Sequence, residues 1–282
     1  MILVADSGST KCDWILYNNK ESNPLKIRTK GLNPAVLNKK NFLKIVASSK
    51  ELESIKDRVQ EIKFFGAGCG SKTNQQKVNE ILTSYFTNAK CTSKEDTMVA
   101  VLATTIEPAV VCILGTGSNC CYFDGQNIHM KTPALGYLLM DEASGNYFGK
   151  ELLKSYYYLT MPKELASLFN TEYSLNEKDV LKGLYQSKRP NKYLAGFAPF
   201  LFKYQEHKFI NDLLLDGFRT FVNHHVLKHR EALKHVPVHF VGSIAFYGQK
   251  QIKQVLAERG ITGGVFIKNP LDHIVEHKIN IH

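Results

Sequence analysis

The chain has 282 residues, 44% of them hydrophobic and 22% charged, which places it among ordinary globular proteins of one large domain or two medium ones. It reaches Asp6 too early for a secretory signal and has no run of about 18 apolar residues, so a soluble, cytoplasmic protein without a membrane partner is expected. The net charge of +10 is dispersed, often beside acids as in Lys56-Asp57-Arg58 and Lys150-Glu151, which argues against a nucleic-acid surface and suits a small anionic substrate.

Residues 2–5 and 12–17 are apolar stretches around a Gly/Ser turn, the pattern of a β-hairpin, and a third strand is predicted at 25–29. Asn33-Pro34 breaks the chain before a helix within 38–47 that carries Phe42, Ile45 and Val46 on one face. A strand at 62–65 ends in Gly66-Ala67-Gly68-Cys69-Gly70, and a helix with Val78, Ile81, Leu82 and Tyr85 follows. The next helix starts at Asp96, whose carboxylate can cap it. At Ala109–Leu114 the opening pattern returns: an apolar strand, Gly115-Thr116-Gly117-Ser118, a second strand at 119–123 and an Asp124-Gly125 turn. Gly117 stands 109 residues after Gly8, a domain-sized interval. Helices are then predicted at 146–159, 163–169, 177–185, 192–204 and within 208–235, followed by a strand Val238–Val241, Gly242-Ser243 and a helix at 246–258. Hairpins followed by helices, twice over, describe an α/β protein of two domains with a cleft between them.

Phosphate oxygens need backbone N–H groups at close approach, which glycine turns allow, together with small hydroxyls and a cation. Ser7-Gly8-Ser9-Thr10 with Lys11, and Gly115-Thr116-Gly117-Ser118 with Asn119, supply these at equivalent places. One such turn is an ordinary hairpin; two equivalent copies point to phosphate. Asp6 would face those phosphates, a repulsive placement unless a divalent cation lies between, so it reads as a Mg²⁺ ligand, with a turn cap as the alternative. No Walker A loop is present, and the Gly66 to Gly70 run lacks the spacing of a dinucleotide fingerprint. His225 and His229 lack a third metal ligand and read as solvated surface residues. The six cysteines contain no CxxC pair and read as reduced thiols, with Cys120 and Cys121 on opposite faces of a strand and one of them in the core.

In chain order, DSGSTK at 6–11, LGTGSN at 114–119, DEASG at 141–145 and FVGS at 240–243 resemble the BadF/BadG/BcrA/BcrD-type ATPase family, most closely its N-acetylglucosamine kinase members, over nearly the whole chain. The resemblance implies two ribonuclease-H-like domains of the actin-like ATPase superfamily, 1–105 and, with helical additions, 106–282, closing on MgATP and a hexose. It implies that Ser7, Gly8, Ser9, Thr10, Lys11, Gly115, Thr116, Gly117 and Ser118 hold the ATP phosphates, and that Gly242 and Ser243 lie under the adenosine. Asn33, Asn119 and Asp141 would bind the sugar, Asp96 would act as general base, and Asp6 would hold the metal. The implied reaction is phosphorylation of N-acetylglucosamine to its 6-phosphate, by a chain that is compatible with a homodimer.

The residues alone leave Asp96 as a plain helix N-cap and Glu142 as a first-turn helix acid among the alternatives. Family members usually read Gly-Asp-Glu-Gly-Ser-Gly where this chain has Met140 to Gly145, and the exchange of Gly for Ala143 implies a φ below zero there. The rival readings are an ATPase activator with an iron–sulfur cluster between two subunits, which the surroundings of Cys69 and Cys91 do not match, and an actin-like nucleotide-binding protein without kinase activity.

Overall fold

The computed structural model describes residues 1–8, 11–17 and 24–276. The chain forms two compact units, one made of residues 1–103 with the segment from Pro270 onward, the other of Thr104–Asn269.

The first unit is built on five strands, β1 (Ile2–Ser7), β2 (Lys11–Tyr17), β3 (Leu25–Lys30), β4 (Glu61–Gly66) and β5 (Lys90–Glu95), in the order β3-β2-β1-β4-β5. The hairpin strands run antiparallel, whereas β4 and β5 run parallel to β1 and need crossover connections, which the helices Lys39–Ala47, Lys50–Ile55 and Lys72–Tyr85 provide. Asn38, Ser49 and Ser71 cap these three helices through their side-chain oxygens. Trp14, Phe42, Phe64 and Phe86 fill the core, and the Trp14 indole N–H donates to Thr29 Oγ1 at 3.0 Å. The helix Pro270–Glu276 completes this unit: Leu271 and Ile274 are buried, and Lys26 Nζ on β3 donates to Asp272 Oδ1 at 2.7 Å.

The second unit repeats the plan with β6 (Ala109–Leu114), β7 (Ser118–Phe123), β8 (Ile128–His129), β9 (Val238–Val241) and β10 (Gly263–Ile267), in the order β10-β9-β6-β7-β8. Again the first three strands are antiparallel and the last two parallel, as expected of a ribonuclease-H-like domain. The helices Gly145–Tyr157, Lys163–Tyr173, Lys208–His224 and Gln249–Ala257 bury their apolar faces in one core with Phe148, Phe169, Phe200, Phe218 and Phe240. Among the described residues no helix is long and apolar enough to cross a membrane.

Several elements differ from the sequence expectation. The helix expected at 192–204 is two, Pro190–Ala195 and Pro199–Lys203, because Gly196 and Pro199 interrupt it. The run within 208–235 bends after His224 into a 3₁₀ turn, and the helix at 246–258 is divided at Gly248. Cys120 and Cys121 are both buried, where one core thiol was expected, because this sheet is covered on both faces. His225 and His229 are only 6% and 5% exposed, which corrects their reading as solvated surface residues; both are enclosed where the long helix turns back toward the sheet.

Candidate functional site

Asp6 is the next-to-last residue of β1, opposite Asp13 on β2 and beside Phe65 on β4. Asp96 directly follows β5, and the Thr97 N–H donates to its carboxylate at the start of the helix Thr97–Thr104. Both carboxyls thus lie at the carboxyl ends of parallel strands, where open α/β sheets bind ligands. Burial, then the neighbouring charge of Glu95, pushes Asp96 up to about 6. Burial, then the charges of Asp96 and Asp13, pushes Asp6 up to about 7 against the pull of Lys11.

Around this pair the expected phosphate turn is only partly free for a ligand. Ser7 is fully buried, and its hydroxyl accepts the Leu32 N–H at 2.8 Å, which ties β1 to the loop that carries Asn33. Lys11 Nζ lies 2.6 Å from Asp13, and with Arg28 Nε at 2.5 Å it holds the Asp13 carboxyl below its ordinary value although burial opposes this. Gly8 keeps its backbone open: an added Cβ would meet only Lys11 O, at 3.9 Å. Ser9 and Thr10, expected as phosphate ligands, lie outside the described residues. Asn33 is half-buried, its Oδ1 accepts the Ala35 N–H at 2.9 Å, and the bare backbone of Gly68 lets it stand there, since a Cβ on Gly68 would come within 2.3 Å of that oxygen. Cys69, in the same glycine loop, is fully buried with its thiol pushed up to about 12 by burial and by Asp96 and Glu95, so it is not reactive.

In the second unit the turn Gly115-Thr116-Gly117 is fixed from three sides. Gly115 N–H donates to Gly117 O at 2.9 Å; Gly145 and Asn146, at the start of the helix Gly145–Tyr157, donate their N–H groups to Gly115 O and Thr116 O at 2.8 and 3.0 Å. Asp141 closes the third side: Oδ1 accepts the Ser118 N–H at 3.2 Å, Oδ2 accepts Asn146 Nδ2 at 2.8 Å, and the carboxylate lies so close to Gly117 that a Cβ there would be 2.9 Å from Oδ2. Ser118 Oγ is buried with no hydrogen-bond partner among the described residues, an orphan hydroxyl that costs about 1–3 kcal/mol unless a ligand meets it. Asn119 Oδ1 accepts the Cys120 N–H at 2.9 Å. Asp141 and Ala143 both have positive φ, 72° and 54°, which overturns the expectation of a φ below zero at Ala143. The exchange of Gly for Ala is tolerated because the Ala143 methyl is fully buried in the core.

Beside this turn lies a cavity of about 380 Å³ lined by Gly115, Thr116, Gly145, Ser243, Phe202 and Tyr247. Phe202 and Tyr247 pack with ring centroids 5.5 Å apart, and Lys268 Nζ donates to the Tyr247 hydroxyl at 2.6 Å. Gly242 stands at its back with φ 112°, and a Cβ there would be 2.3 Å from Leu114 O, so only glycine lets β9 end against the turn. Gly242→Ala is therefore expected to lower stability by roughly 2–4 kcal/mol, visible as a melting temperature several degrees lower. Gly115→Ala, whose Cβ would meet nothing within 4 Å, should melt like the parent.

The sequence brought the two turns and their acids into view, but not Asn146 as the partner of Asp141, nor His225, whose Nε2 lies 2.8 Å from Glu142 Oε2. For Asn146 a signal existed, since it follows Asp141 by five residues across a tight loop; for His225, 83 residues away from Glu142, none did.

No protein-family model matches the chain, and a search of curated proteins finds none similar to it. Among solved structures, a candidate N-acetylglucosamine kinase from Porphyromonas gingivalis is 32% identical, with a TM-score of 0.90 and full coverage of both chains. A candidate N-acetylglucosamine kinase from Chromobacterium violaceum, 12% identical over 96% of each chain, shares the fold at a TM-score of 0.70. A glucokinase of the ROK family from Streptomyces griseus, solved with glucose and AMPPNP, is 11% identical over 97% of each chain with a TM-score of 0.58, again a likeness of fold. Identity of 32% across the whole of both chains shows that this protein belongs with the Porphyromonas gingivalis protein in a family of N-acetylglucosamine-kinase-like sugar kinases with the actin-like ATPase fold.

Proposed function

We propose that this chain transfers the γ-phosphoryl group of ATP to a hydroxyl of N-acetylglucosamine, giving the 6-phosphate, as a cytoplasmic kinase of the BadF/BadG/BcrA/BcrD type. The observation that carries the reading is the repeated hairpin turn, joined by carboxyls Asp6 and Asp96 in one unit and by the clamped turn with its orphan Ser118 hydroxyl in the other. Asp96, pushed up to about 6, is ionised at neutral pH yet remains basic enough to accept the proton of the attacking hydroxyl. Asp141 binds a sugar hydroxyl, Asn33 and Asn119 add further polar contacts, and the glycine turns hold the phosphates. Gly242 and Ser243 support the adenosine in the cavity walled by Phe202 and Tyr247.

Mg²⁺ suits the donor set at Asp6, because it takes one or two carboxylates plus phosphate oxygens. With ATP bound it supplies neutralisation of the phosphate charge. The activator alternative needs cysteines presented to a second subunit, whereas Cys69 is fully buried and Cys91 partly buried.

A coupled assay of ADP release across N-acetylglucosamine, glucosamine, N-acetylmannosamine, N-acetylmuramic acid, glucose and no acceptor tests the reading. The expected result is release that depends on sugar and is fastest with N-acetylglucosamine. Equal release with every sugar and with none would overturn the kinase assignment.

A further inference from the structure

The acid loop holds its shape against backbone preference. Asp141 and Ala143 both lie in the left-handed region, and Glu142 stands between them. Successive side chains diverge, and the Glu142 carboxylate turns away from the glycine turn to meet a histidine: Oε2 accepts from His225 Nε2 at 2.8 Å, and His224 Nδ1 is 3.9 Å from Oε1. His225 is nearly enclosed. It caps the helix Lys208–His224, its ring stacks on Phe221 with centroids 4.9 Å apart and planes 23° from parallel, and its Nδ1 lies 3.2 Å from Thr132 Oγ1. A carboxylate only accepts, so Nε2–H donates to Glu142, while Nδ1 meets the Thr132 hydroxyl, which can donate to the neutral ring or accept from the charged one. With both ring nitrogens and one ring face engaged, the imidazole is fixed in position and in rotation.

We infer that His225, acting through Glu142, is a positioning residue for Asp141: it holds the acid loop so that the Asp141 carboxylate stays on the Ser118 N–H and the Asn146 amide. The inference rests on the proposed reading in one respect only, that Asp141 binds the sugar. The Asp141 carbonyl accepts the Ser144 N–H at 3.2 Å and its two carboxylate partners fix the side chain, while the Glu142 tether adds the restraint on the peptide beside it that reaches outside the loop. Loss of the tether moves the carboxylate, and the sugar site loses alignment before the nucleotide cavity does.

The test uses His225→Phe, which keeps the stacking on Phe221 but removes both nitrogens; His225→Gln, whose amide N–H₂ can still donate to Glu142; and Glu142→Ala. His225→Phe is expected to raise the KM for N-acetylglucosamine roughly tenfold while the KM for ATP changes less than about twofold, and His225→Gln should recover most of the loss. The double variant His225→Phe with Glu142→Ala should be no worse than the poorer single one, since both cut the same link. If His225→Phe does not fold, Glu142→Ala with its own ATP KM gives the same comparison. Equal changes in both KM values, or no rescue by Gln, would show a general structural role and overturn the inference. Crystal structures of the same variants give a readout independent of the sugar: release of Asp141 from Ser118 and Asn146 supports the tether, and unchanged contacts refute it. Should the parent protein phosphorylate no sugar, the kinase reading falls alone, and this structural comparison still decides the tether.

Discussion

Replacing Asp96 by Asn is expected to lower kcat for sugar phosphorylation by roughly 10²–10⁴-fold while ATP binding is retained, because the amide keeps the shape and the contact with the Thr97 N–H side of the site but cannot accept a proton. The same residue sets the acid limb of the parent's pH profile. The active form is the ionised one, and burial with Glu95 places its titration at about 6, so at saturating Mg²⁺ and ATP kcat should fall as pH drops through about 6. Steady-state assays from pH 4.5 to 8.5, with ATP binding measured separately by calorimetry, check both statements. Turnover of the Asn variant within a few-fold of the parent would remove Asp96 from the chemistry.

Asp6→Asn is expected to do the opposite to stability and activity: the variant should melt higher than the parent without nucleotide or Mg²⁺ at pH 8, yet lose Mg²⁺-dependent phosphorylation. The folded-state value of about 7 lies above the ordinary 3.8, so the fold favours the protonated form. The stability tied to Asp6 is therefore fully present below pH 3.8 and is lost as pH rises through about 7. At pH 8 the ionised carboxyl costs on the order of 1–2 kcal/mol, less than the shift alone would give, because Asp6 keeps part of its surface in water. The stabilising effect of Asn should shrink toward pH 5. Thermal melts of both proteins at the two pH values measure this, and a variant that melts lower than its parent at pH 8 would contradict it. A destabilising carboxyl retained at this position is what a cation site looks like when judged by stability alone.

Much of this was legible in the chain because the carrying signals are local. Apolar runs around Gly8 and Gly117 give hairpins directly, and the strands that follow from them are β1, β2, β6 and β7. The strand β5 was not legible: Lys-Cys-Thr-Ser-Lys-Glu has no apolar alternation, only Ser93 is buried, and it pairs because β4 presents an open edge. β10 begins with two glycines and lies outside any strong pattern, yet pairs with β9 in the same way. At the site, the acids were readable as candidates but their surroundings were not. The burial of His225 depends on where its own helix, Lys208–His224, ends, and the left-handed backbone at Ala143 depends on a core that accepts its methyl, facts that no spacing contains. Ser7 shows the same limit, since nothing in the sequence places its hydroxyl on the Leu32 N–H.

The helix Pro270–Glu276 returns the chain to the unit in which it began. A ribosome delivers residues from the amino terminus, so the central stretch of 104–269 is complete and able to collapse while the first sheet still lacks its final helix. Until Leu271 and Ile274 emerge, the apolar surface they cover on that sheet stays open to water and to other chains. During biosynthesis the vulnerable part of this protein is therefore the half that was made first.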